Sequence, residues 1–156
     1  MKATKQHGFT LVELIVVIVI LGILAATALP RFINVTSDAR LAAVNGIAGG
    51  LRSAVSVSQA RYFATGNMAA TTVTFADTTT ATVTAGTGIP NGAQAGIGNV
   101  MRCEDIAAAT PNCQGINVTG AGVATISNWR PTGGSATCQA TYDPANGAVV
   151  VYYAGC

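Results

Sequence analysis

The chain has 156 residues, enough for one domain or one domain with an appendage, and half of them are hydrophobic. Only 9% are charged, against about 25% in an ordinary soluble domain. The net charge of +2 comes from scattered arginines and two lysines near the start, so no basic patch for nucleic acid forms and a nucleic-acid partner is not predicted.

Residues 1–8 are short, polar and basic, with Lys2 and Lys5 as the only lysines. They read as a leader held on the cytoplasmic side by the positive-inside tendency. Residues 9–29 form an apolar segment whose stretch from Leu14 to Leu29 has no charge. At about 1.5 Å per residue, a helix from Phe9 to Leu29 spans about 31 Å, close to a bilayer core of about 30 Å. An ordinary secretory signal would place a small-residue cleavage site after the apolar run, and Ala25-Ala26-Thr27-Ala28 fits that pattern. Against it, the run is longer than a typical signal core of about 7–15 residues, and an acid, Glu13, stands near its start.

Glu13 is the anomaly. A carboxylate inside a membrane helix costs about 2.5–3.5 kcal/mol on insertion scales, and such residues generally have a partner and a function. Cleavage after Gly8 would free a cationic amine on Phe9, and Phe9 and Glu13 stand at i and i+4 on one helix face. The amine has two candidate acids, its own Glu13 and that of a neighbouring copy. Pairing in trans would set axial register, as a polar core residue does in coiled coils. The alternative is that Glu13 sits at the membrane interface, where the helix dipole favours an acid. With the leader removed, six arginines face six acids and the side-chain charge is zero, a balance that favours association.

Pro30 lacks an amide hydrogen and clashes with the preceding turn, which predicts a kink or break there. Residues 30–64 then read as an amphipathic helix. Leu41, Val44, Ala48, Leu51, Val55 and Tyr62 form its apolar stripe, and Arg40, Asn45, Arg52, Gln59 and Arg61 fall off it. A helix is expected from about Phe9 to Phe63, its first half projecting and its second half covered. Gly66 is placed to end it.

Residues 65–156 read as a β-rich head. Thr71 to Phe75, Thr80 to Thr84 and Gly122 to Ser127 read as short strands, and Gly86 to Gly98 as loop. Ala136 to Tyr142 and Ala148 to Tyr153 form the best strand pair, joined by the turn formers Asp143-Pro144-Ala145-Asn146-Gly147. The expected fold class is α+β, a long N-terminal helix packed against a small antiparallel sheet. Four cysteines, Cys103, Cys113, Cys138 and Cys156, suggest two disulfides in an exported chain. Sequence alone does not choose among three pairings. The sequential one, Cys103 with Cys113 and Cys138 with Cys156, is favoured because it closes two short loops. Free buried thiols are the alternative.

Catalytic, metal and cofactor sites are not predicted. His7, the single histidine, lies in the leader. Glu104-Asp105 reads as a solvated loop or the start of a helix over Ile106-Ala107-Ala108-Ala109. Trp129 beside Arg130 reads as core packing in preference to a surface contact. Asn34-Val35-Thr36 and Asn117-Val118-Thr119 match a glycosylation pattern that arises readily in such sequence.

The run Gly8-Phe9-Thr10-Leu11-Val12-Glu13-Leu14, with the apolar segment behind it, resembles the processing and assembly motif of type IV pilins and type II secretion pseudopilins. The resemblance implies the pilin fold. It implies cleavage after Gly8 by a prepilin peptidase/methyltransferase, N-methylation of Phe9, and pairing of Glu13 with a neighbour's N-terminus. It also implies a helix kink at Pro30, where such helices often bend. Ala28-Leu29-Pro30-Arg31-Phe32, with Asn34 and Asp38-Ala39-Arg40, looks most like mannose-sensitive haemagglutinin (MSHA) pilins. A cysteine pair near the C-terminus fits the general family plan and is usually lacking in the major pseudopilins. The expected protein is thus a structural pilus subunit used in adhesion or surface attachment, not an enzyme. The precursor would span the inner membrane once, among lipid and the pilus assembly machinery, and then enter an extracellular homopolymeric filament. The alternative is a type II secretion pseudopilin or a minor pilin.

Overall fold

A computed structural model of the chain describes residues 9–107 and 113–156, and at 28–34 the backbone alone. The element order is helix α1 (Leu11–Ala64), strands β1 (Thr72–Thr74) and β2 (Thr80–Thr82), a π-helical turn (Gln94–Gly98), and strands β3 (Ile116–Thr119), β4 (Ser127–Pro131), β5 (Gln139–Asp143) and β6 (Ala148–Tyr152). The chain divides into two units, Met1–Ser37 and Asp38–Cys156. Together the elements make an α+β pilin-type fold, a long N-terminal helix with antiparallel sheets packed on it.

In the second unit the predicted apolar stripe is the inner face of α1. Val44, Ala48, Leu51, Val55 and Tyr62 are buried, joined by Ile47, Ala54 and Ser58, while Leu41 lies at the exposed margin. Arg40, Asn45, Arg52 and Arg61 face outward. The helix closes on Gly66, whose φ of +69° is the left-handed conformation that glycine adopts without penalty. Its amide donates to the Phe63 carbonyl at 3.1 Å.

The strands form two sheets. β1 and β2 make an antiparallel pair, and β3-β4-β5-β6 make a four-stranded antiparallel sheet in sequence order. Register aligns Val118, Trp129, Ala140 and Val151 across the four strands. The first three of these are buried and meet Val44, Leu51 and Val55 of α1 in one core. Because side chains alternate along a strand, Asn117, Asn128, Arg130, Thr141 and Val150 take the other face. Trp129 is fully buried and donates its indole N–H to Ser127 Oγ at 2.8 Å. Sequence reasoning set the third strand too early, at Gly122 to Ser127, and passed over β3. Gly122 and Thr125 instead close a tight turn, and Val123 and Ile126 within that span are exposed.

The stretch from Gly86 to Gly98, expected as loop, carries the π-helical turn. Gln94 fastens it: its carboxamide accepts from the Ile106 amide at 2.9 Å and donates to the Cys103 carbonyl at 2.6 Å. Just before it, Gly88 has φ +68°, and a Cβ there would run into the base of the Tyr62 ring. Tyr62 in turn donates its hydroxyl to the Met68 carbonyl and accepts from the Gly86 amide at 2.6 Å. Cys103 is bonded to Cys113 and Cys138 to Cys156. The second bond ties the chain terminus to the residue just before β5.

With few charges to pair, the arginines of this unit serve mainly as long hydrogen-bond donors. Arg52 reaches the Val149 carbonyl on edge strand β6 at 3.1 Å, and Arg61 reaches the Thr74 carbonyl of β1 at 2.7 Å. Arg102 pairs with Asp77, the one salt bridge among the described residues. Hydrogen bonds from Thr79, chiefly its amide, and then the Arg102 guanidinium lower the Asp77 carboxyl below its ordinary range. That contribution favours the folded chain above the ordinary carboxylate range and is lost as the pH falls through the lowered value.

Tyr142 is fully buried and donates its hydroxyl to the Pro90 carbonyl at 2.5 Å. Burial, and then the adjacent Asp143 carboxylate, hold the phenol protonated well above the usual tyrosine range. Removing the hydroxyl strands a buried carbonyl, which costs about 1–2 kcal/mol. Tyr142→Phe is therefore expected to lower the unfolding free energy of the detergent-solubilised chain in urea by that amount, with a lower midpoint, followed through Trp129 fluorescence. An unchanged midpoint would show that the Tyr142–Pro90 bond contributes nothing.

Candidate assembly site at the head of the helix

The first unit has one polar constellation among its described residues, at the start of α1. Thr10 is the N-cap and Glu13 the third helical residue. Thr10 Oγ1 accepts from the Glu13 amide at 3.3 Å, and Glu13 Oε2 accepts from the Thr10 amide at 2.8 Å and from its hydroxyl at 2.7 Å. This is a reciprocal capping box, which satisfies two of the donors that a helix start leaves orphaned. The spacing Thr10-x-x-Glu13 is its sequence signature, and the sequence reading missed it by attending to Phe9 and Glu13 instead.

The box leaves Glu13 half used. A carboxylate offers about four lone-pair positions, and both bonds from Thr10 fall on Oε2. Among the described residues, Oε1 takes no hydrogen bond. A cation approaching from outside therefore has an oxygen to meet without opening the cap.

Behind this head the helix is apolar all round. The large side chains from Leu11 to Leu24 are each 46–73% exposed, so no face of this stretch is reserved for water. Thr27 turns its hydroxyl back onto the Leu24 carbonyl at 3.0 Å, the habit of a hydroxyl in apolar surroundings. The stretch whose side chains are described, Leu11 to Thr27, is about 26 Å long at about 1.5 Å per residue, against a bilayer core of about 30 Å. Among the described residues no helix is long and apolar enough to cross a membrane; in sequence the apolar run continues to Leu29.

The expected cleavage point at Gly8 lies outside the described residues. Phe9 is described and exposed. Pro30 falls inside the span of α1, but the kink expected there lies outside what is described. The helix expected over Ile106 to Ala109 likewise runs beyond the described residues. At its start, Asp105 accepts from the Ala107 amide at 2.9 Å, forming a local turn.

Residues 3–29 match the prokaryotic N-terminal methylation motif. The chain is 48% identical over 54 residues to a "Type IV narrow pilus major component PilA5" of Thermus thermophilus, covering 35% of this chain and 47% of that protein. It is 50% identical over 52 residues to a "Type IV major pilin protein PilE1" of Neisseria gonorrhoeae, covering 33% and 32%. A "Fimbrial protein EcpC" of Eikenella corrodens is 47% identical over 51 residues, covering 33% of each. The chain thus spans between a third and a half of the length of these relatives. No solved structure matches. The matches support the type IV pilin family, whose members named here are structural proteins of pili and fimbriae.

Losing the N-cap hydroxyl costs about 1 kcal/mol of local helix stability. In Thr10→Ala, exchange of the Glu13 amide in detergent micelles is expected to quicken about fivefold, while the buried Ala140 amide keeps its rate. Equal exchange at Glu13 would remove the capping box from the account.

Proposed function

We propose that the chain is a structural subunit of a type IV pilus, a polymer component and not an enzyme. The observation that carries this reading is the apolar sleeve from Leu11 to Leu24, exposed on every face, with one carboxylate at its head. Fully burying a Leu, Ile or Val side chain is worth about 1.5–3 kcal/mol. A dozen such residues left in water would be untenable, so the segment belongs in lipid or against copies of itself.

The sequence of events follows from the same residues. The precursor sits in the inner membrane as a single span over 9–29, with leader 1–8 inside. A prepilin peptidase/methyltransferase cuts after Gly8 and methylates Phe9. The new amine then seeks a carboxylate. Glu13 Oε1 of a neighbouring subunit answers it, so that each subunit entering the filament, with the help of the assembly machinery, exchanges an unpaired membrane acid for an ion pair. The helices make the filament core and the β-rich heads its outside. The Pro-Arg-Phe continuation at Pro30 supports an adhesive, MSHA-like filament, and the Cys138–Cys156 bond fits a pilin better than a pseudopilin.

Glu13→Val keeps the cleavage junction and the sleeve but removes the acid. Mass spectrometry of the membrane fraction is expected to find Phe9 still at the N-terminus. The equilibrium constant for adding a subunit is expected to fall at least about tenfold, which is about 1.4 kcal/mol, and the yield of sheared filaments to fall with it. Normal filament yield from this variant would refute trans pairing, and a mature protein starting elsewhere than Phe9 would refute the processing.

A further inference from the structure

A cleft of about 730 Å³ opens on the outer face of the four-stranded sheet, at the β3–β4 pair. Its floor carries Asn117 and Thr119 of β3 and Arg130 of β4, and register sets Asn117 directly opposite Arg130. Arg130 is there because Trp129, its neighbour, takes the inner face. The two residues that sequence reasoning treated as one core feature thus point to opposite sides of the sheet.

The guanidinium is incompletely satisfied. Nη2 donates to Thr119 Oγ1 at 3.0 Å, but Nε is buried and has no hydrogen-bond partner. Among the described residues no carboxylate lines the cleft. Elsewhere in the head the arginines that make contacts reach carbonyls or an acid; this one brings a full charge to the wall of an open cleft. A buried N–H left unpaired is costly, and a forked cation of this kind fits a planar two-oxygen anion.

We propose that this cleft binds a carboxylate-bearing sugar, chemically a uronic acid unit of an acidic polysaccharide. One cation calls for one negative charge, and the carboxylate pairs with the part of the guanidinium that lines the cleft. Asn117 and the bare backbone at Gly120, Gly133 and Gly134 face the ring hydroxyls, and Ile106 with Ala107 gives the apolar strip on which the C–H face of a sugar lies. The volume falls within the range of about 300–1,000 Å³ usual for small-ligand sites. The site lies wholly within Asp38–Cys156 and does not rest on polymerisation, so it can be tested on unassembled subunits.

The test is ligand-observed NMR and calorimetry on the full chain in detergent micelles, with D-galacturonate, galactose, acetate and sulfate. Galacturonate is expected to bind saturably and more weakly as salt is raised, with signal transfer to its ring protons. Galactose and acetate are each expected to bind at least tenfold more weakly. Arg130→Gln is expected to lose galacturonate binding at least tenfold. Arg130→Lys, which keeps the charge but not the fork, is expected to lose it several-fold, as is Asn117→Ala. Intact disulfides by mass and an unchanged near-ultraviolet spectrum check that each variant is folded. If Arg130→Gln does not fold, the other two variants decide. No galacturonate binding, equal binding by folded variants, equal binding of galactose or acetate, or preference for sulfate would each overturn the proposal.

Discussion

The constraint on which the rest depends is that the first part of α1 has no polar face. An amphipathic helix can settle on a globular core, as the second part of α1 does through Val44, Leu51 and Tyr62. The stretch from Leu11 to Leu24 cannot, because covering one side leaves the other in water. Such a segment needs an environment that surrounds it. Lipid does so, and so does a ring of identical helices. The two differ little in apolarity, so hydrophobicity alone does not drive the passage from one to the other. On the proposed function, what distinguishes them is the carboxylate of Glu13, which would meet a neighbour's N-terminal amine only in a bundle of processed copies.

The capping box refines that picture. By binding Oε2 to Thr10, it holds the carboxylate at the helix start and leaves Oε1 without a hydrogen bond among the described residues. An acid already partly satisfied is less costly to hold in a membrane than a bare one, and an oriented acid loses less freedom on meeting its partner. The interface reading of Glu13 and the trans-pairing reading are therefore not rivals. The first describes the acid in the isolated subunit, and the second what its remaining oxygen is open to.

How much could be read from the sequence depended on whether a signal was local. The stripe on the second part of α1 was legible because six apolar residues repeat with helical spacing over more than five turns. The β5–β6 hairpin was legible because Asp143 to Gly147 concentrates turn chemistry, and the structure shows it: the Asp143 and Asn146 side chains accept from the Ala145 and Ala148 amides. β3 was not legible. Its inward residue, Val118, is flanked by Asn117 and Thr119, and asparagine is a poor strand former. What makes it a strand is tertiary, the pairing of Val118 with Trp129 over the helix. The π-helical turn was hidden for the same reason, since Gln94 holds it through partners at Cys103 and Ile106. At the candidate site, the capping box was local and could have been found by its spacing. The burial of Arg130 Nε could not, because it depends on how two strands, each misplaced or missed in sequence, lie against each other.

The thinness of charge across the head makes the tasks of its bonded arginines easy to tell apart. Where opposite charges are abundant, a guanidinium is generally accounted for by ion pairs. Here Arg52 and Arg61, on α1, fasten peptide carbonyls of β6 and β1, so the helix guards strand edges that would otherwise invite another chain. Arg102 joins the β1–β2 turn to the loop that carries Cys103. These three uses all serve the fold. Among the described residues Arg130 hydrogen-bonds Thr119 within its own sheet and bonds to no second element. A cation that ties its sheet to no other element, in a chain that carries so few, is the residue whose charge the fold alone leaves unexplained.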